Sequence, residues 1–166
     1  MELFKTSEEE RFHKNVTAIV EFIKILIEEF KEKGYNVQGE KYLKLCSYFL
    51  EQVNKQVLIE KFCQYSHPYW SQIKDKNKVF FLSNTDKLFG NFLPVDATSA
   101  ISKVFEMKDK EGNDLLSADY SEWLWKNFRI LVVISIKYIA RKRHTCPDFL
   151  SELDLDKRML EFEVTL

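Results

Sequence analysis

The chain has 166 residues, 45% of them hydrophobic, and a formal net charge of −1 at pH 7. That is the usual size of one domain with ample material for a core, and the balanced charge excludes a global electrostatic pull toward nucleic acid or an anionic membrane. Only 4 glycines and 3 prolines are present, which excludes a turn-rich all-β fold and favours long uninterrupted helices.

In chain order, Met1 to Lys5 lead into the acidic run Glu8-Glu9-Glu10 and not into an apolar segment, so no secretory signal is expected. Ser7 and Glu10 stand at capping-box spacing. Behind them Phe12, Val16, Ile19, Ile23, Leu26 and Phe30 recur at helical intervals. The pattern predicts a helix over 8–33, stopped by Gly34, with Lys31 and Lys33 placed to offset its dipole. Residues 40–53 predict a second helix with Tyr42, Leu45, Phe49 and Val53 on one side. Residues 55–65 predict a third, with Val57, Leu58, Phe62 and Cys63 as its inner face. Asn54 between them is a weak breaker. Ser66 and Pro68 break the chain firmly, and Pro68 suits the first turn of a short helix carrying Trp70 and Ile73.

Lys74 to Lys78 read as a solvated connector. Residues 79–90 are too apolar for an exposed loop and predict a short helix or an irregular packed segment. Asp96 or Thr98 is placed to cap a helix through Ile101, Val104 and Phe105, and Glu111-Gly112-Asn113-Asp114 predicts a turn.

Ser117 or Ser121 then opens the main helix, near 121–143. Trp123, Leu124, Trp125, Phe128 and Ile130 to Ile139 put apolar residues on nearly every face, the mark of a helix surrounded by others. Its length is about 35 Å. Its most apolar run, Ile130 to Ile136, is closed by Arg129 and Lys137 and falls short of the roughly 20 residues needed to cross a bilayer. The whole pattern predicts an all-α fold, a helical bundle of about six to seven helices around this central apolar helix. The bundle is assigned to 1–147. Residues 148–166, with six acids against Lys157 and Arg158, form an acidic tail, docked or partner-bound.

Chemistry-bearing residues are sparse. Cys63 with His67 and His144 with Cys146 would together supply a Cys2His2 set of zinc-type ligands, but the spacings match no zinc-finger pattern, so no metal or cofactor is assigned. Cys63 is more simply a small core residue. The odd count of 3 cysteines fits a reducing, intracellular setting. No glycine-rich phosphate loop and no nucleophile elbow occur, so no catalytic residue is assigned and an enzyme is not expected. The carboxylates Glu8, Glu9 and Glu10 read as a solvated helix face. The run Arg141-Lys142-Arg143-His144 suits phosphate contact. It equally suits the negative end of the long helix, with the acidic tail placed to neutralise it. Tyr65, Tyr69 and Trp70 cluster around Pro68 as a partly exposed aromatic group. These three, with Arg141, Lys142 and Arg143, are the candidate partner-binding residues.

Phe80-Phe81-Leu82-Ser83-Asn84, followed by Leu124-Trp125-Lys126-Asn127-Phe128 and Leu131, resembles a pattern in small helical proteins of nucleocytoplasmic large DNA viruses. The resemblance implies a viral setting, in host cytoplasm or virion, and a packing or assembly role without catalysis. The expected function is therefore a non-enzymatic structural or interaction protein with a protein partner or self-assembly. A second expectation is a groove-bearing bundle that resembles viral regulators of apoptosis and binds an amphipathic helix. The glycine–arginine signature of those regulators is replaced here by Trp125-Lys126-Asn127. A third is nucleic-acid contact through residues 141–144.

Overall fold

The computed structural model describes residues 6–37, 39–89, 93–142 and 154–165. Ser7 caps the first helix through its side chain, whose Oγ accepts from the Glu10 amide at 3.2 Å. Helix α1 then runs Glu8–Glu32. It ends at Gly34, whose φ of +91° is the left-handed conformation that glycine adopts without strain. Helix α2 is Glu40–Gln52. Asn54, a weak breaker by sequence, proves an effective one: its side chain accepts from the Val57 amide at 3.1 Å and starts α3, Lys55–Ser66. A 3-10 turn at His67–Tyr69 carries Pro68 into the short α4, Trp70–Lys74.

The ambiguous apolar segment is helical. Helix α5 spans Lys78–Phe89 with a break in helical geometry at Asn84, whose side-chain amide donates to the Phe80 carbonyl at 2.9 Å. The break explains the mixed periodicity of that stretch. Helix α6, Val95–Glu106, begins after Pro94 without a side-chain cap. Asp96 and Thr98 therefore lie inside it and not at its start, and Thr98 is buried. Asp109 organises the turn that follows by accepting from the amides of Glu111 and Asn113. Ser117, and not Ser121, caps the long helix α7, Ala118–Arg141. Helix α8, Leu155–Glu161, closes the described chain. Among the described residues no helix is long and apolar enough to cross a membrane.

Helix α7 is the axis. From Asn127 to Ala140 every residue is buried or half-buried. Helix α1 lies antiparallel along it. Glu8 and Glu9 meet Arg141 at one end, Asn15 donates to the Asn127 carbonyl in the middle, and Phe22 packs on Tyr120 and Trp123 at the other. Helix α2 folds back on α1, where His13 Nε2 donates to the Leu50 carbonyl at 2.5 Å. Helix α3 is tied to α7 by the buried Tyr138, whose hydroxyl donates to Glu60 at 2.6 Å. Burial comes first, then that bond and the carboxylate's charge, in holding the Tyr138 hydroxyl protonated well above its ordinary range.

The other flank of α7 is built from rings. Phe81 of α5 packs at 5.3 Å on Phe128, 5.4 Å on Trp125 and 5.0 Å on Phe105 of α6. Phe89 adds a further contact to Phe128 at 5.3 Å. Such pairs contribute about 0.5–1.5 kcal/mol each beyond the area they bury. Phe81 and Phe128 are essentially without solvent contact. Phe128→Ala is therefore expected to lower unfolding free energy by about 3–5 kcal/mol in urea denaturation. The control Val79→Ala, at a position 78% exposed, should change it by less than about 0.5 kcal/mol.

Candidate functional site

The aromatic group around Pro68 divides on folding. Tyr65 is 44% exposed, whereas Trp70 has no exposed surface. The expectation that Trp70 belongs to a partner-facing surface is therefore corrected. Its indole Nε1 donates to Ser66 Oγ at 2.8 Å, and its ring stacks on Phe62. Helix α8 covers it. The Arg158 guanidinium stands over the Trp70 ring, donates to the His67 carbonyl at 2.7 Å and to Ser71 Oγ at 3.0 Å, and pairs with Glu161 at 2.8 Å. The buried Phe162 adds an anchor beneath Arg129. Tyr69 stays half-buried between Phe80 and Lys87.

The basic run meets a partner within the chain. Arg141 is held by Glu8 at 2.8 Å and by Glu9, and lies over the Tyr138 ring. Glu8 and Glu9, expected to be solvated, are thus the neutralising acids at this end, a role the sequence reading gave to the tail. The geometry follows from helix ends: carboxylates in the first turn of α1 meet a cation in the last turn of α7, and each also suits its own helix dipole. Lys142 also stands by the Tyr138 ring. Arg143 lies outside the described residues.

Cys63 is buried in the core, while His144 and Cys146 lie outside the described residues. Among the described residues no group of three or more His, Cys, Asp or Glu is placed to hold a metal ion. Burial pushes the Cys46 thiol up to about 12, so it is a poor nucleophile at neutral pH.

The surface that sequence reasoning misread is on α2 and α3. The apolar side assigned to α2 was Tyr42, Leu45, Phe49 and Val53. The face that enters the core is Leu43, Cys46 and Leu50. Leu45 is 59% exposed, its neighbour Tyr48 64%, and Val57 of α3 43%. Helix α2 therefore carries a second apolar side, on which Phe49 and Val53 pack half-buried against the core while Leu45 and Tyr48 stay exposed. This side leads into a groove of about 280 Å³ lined by Phe49, Val53, Val57, Leu58, Leu93 and Pro94, with Lys61 the charged wall residue among those described. The signal was present in the sequence as an apolar pattern too wide for one buried face.

No family model, curated protein or solved structure matches the chain.

The clamp on Arg141 has a pH signature. Burial opposes ionisation of Glu8, but a backbone hydrogen bond and the Arg141 charge outweigh it and hold the carboxyl below its ordinary value of 4.5. A carboxyl depressed in the folded state stabilises the fold above the unfolded value and loses that contribution as pH falls through the folded one. Arg141→Gln is expected to cost about 1 kcal/mol or less at pH 7, since the pair is partly exposed. The difference from the parent should shrink below pH 4.5 and in high salt, read from urea midpoints across pH.

Proposed function

We propose that this chain is a non-enzymatic interaction protein whose working surface is the α2–α3 groove, and that its partner is an amphipathic helix. The observation that supports this reading is an apolar side of α2 and α3 that is exposed at Leu45, Tyr48 and Val57 and continues into the half-buried Phe49 and Val53. Apolar residues at helical spacing on a solvated face leave surface in water that a partner would remove from it, at about 25 cal/mol per Å². The groove is small for a drug-sized molecule, the usual range being about 300–1,000 Å³. It suits one or two anchor side chains projecting from a helix. Lys61 at the wall selects an acidic residue beside those anchors.

Assembly is the role this surface fits best, and the viral resemblance names the setting in which to seek the partner: a virion component or a host protein met by a large DNA virus. The nucleic-acid reading is less favoured, because Arg141, one of its cations, is held by Glu8 and Glu9, while Arg143 and His144 lie outside the described residues.

A photo-crosslinking amino acid at Val57 is expected to capture one protein from producing cells, through a segment that is an amphipathic helix with an acid beside its apolar face. Capture should be lost with Phe49→Asp and weakened about tenfold with Lys61→Glu, while a crosslinker at exposed Lys126 on α7 captures nothing in common. Capture unchanged by Phe49→Asp, or a monomer with no captured partner, would overturn the reading.

A further inference from the structure

A second concave surface lies away from the groove, and its chemistry is different. It is a cleft of about 540 Å³ between α4 and the first half of α7, lined by Ile73, Lys74, Lys76, Asp119, Glu122, Trp123, Trp125, Lys126 and Arg129. Lys126 and Arg129 follow Glu122 at helical spacing on α7, and Lys74 faces them from α4. Glu122 is neutralised by Lys76 at 2.7 Å. Among the described residues of the wall that leaves Lys74, Lys126 and Arg129 against Asp119. Arg129 donates one N–H to the Phe162 carbonyl and keeps others in its fork for an anion. Glu161, whose carboxyl feels the Lys74 charge, is already held by Ser71 and Arg158. Among the described residues neither Lys74 nor Lys126 makes an ion pair at contact distance.

The same wall carries a fixed aromatic surface. Trp123 is half-buried, and Phe22 packs on its ring from α1 at 4.3 Å. Tyr120 in turn braces Phe22 edge-on at 5.4 Å. An indole immobilised this way offers stacking area at little entropic cost. Cations alone would suit any anion, but cations around a braced indole suit an anion attached to a flat ring. The volume falls within the range of small-ligand sites, about 300–1,000 Å³.

We propose that the α4–α7 cleft binds a nucleoside monophosphate, its base against Trp123 and its phosphate among Lys74, Lys126 and Arg129. The test is calorimetric titration of the full chain with adenosine monophosphate, adenosine and inorganic phosphate, with tryptophan fluorescence read in parallel. Saturable binding of the monophosphate below about 1 mM is expected, with adenosine and phosphate each at least about tenfold weaker. Lys74→Glu and Lys126→Glu should each weaken the monophosphate about tenfold without moving the thermal midpoint, since both side chains are exposed. Trp123→Leu should bring the affinity for the monophosphate down to that for phosphate. No saturation by about 5 mM, equal binding of phosphate and the monophosphate, or charge reversal without effect would each overturn the proposal.

Discussion

A helix that is apolar on nearly every side cannot be left against water, and this requirement arranges the rest of the molecule. Helix α7 needs a cover on each flank, and the covers differ in kind. On one flank α1 lies close, held at its first turn by Arg141 with Glu8 and Glu9 and past its midpoint by Phe22 with Trp123. On the other, Phe81, Phe89 and Phe105 fill the space between helices with rings. Polar groups inside this packing are bonded: Tyr138 to Glu60, Ser135 to the Leu131 carbonyl, and the Asn127 amide to the Trp123 carbonyl. The aromatic abundance of the sequence is thus mostly structural, because large rings are what fills wide inter-helix gaps.

The all-α architecture and the central helix were legible because both rest on local signals. Ser7, Gly34, Pro68 and Ser117 each act on their own neighbours, and periodicity near α7 is too strong to misread. What failed needed knowledge of partners distant in sequence. Trp70 looks like a surface residue beside Pro68 until α8 arrives from far along the chain with Arg158. Glu8 and Glu9 look like ordinary solvated acids until α7 ends beside them. Helix α2 was misread for another reason. It has two apolar stripes, and periodicity cannot say which one enters the core. The nearby tail seemed the natural counter-charge for Arg141, but helix geometry placed the opposite end of the chain there.

The two candidate surfaces are separated by the same division of labour. The α2–α3 groove is apolar, with one cation among its described residues, and was half visible in the sequence, as surplus hydrophobicity. The α4–α7 cleft gathers its lysines and Trp123 from two helices with more than forty residues between their starts. Nothing local announces it. The basic run that sequence alone makes prominent is instead used partly to hold α7 against α1, so prominence along the chain and availability at the surface are different properties.

The contact between Arg141 and Glu8 joins residues 133 positions apart. The longest antiparallel pairing in the bundle is therefore also among its most remote in sequence. Closing so large a loop is slow relative to local helix formation. During synthesis α1, with Phe12, Val16, Ile19 and Ile23 ready to be covered, emerges well before α7, which begins only at Ala118. Until α7 is made, the chain must carry an amphipathic helix without one of its permanent neighbours. The order in which this protein is made thus creates a window of exposed apolar surface that the finished fold conceals.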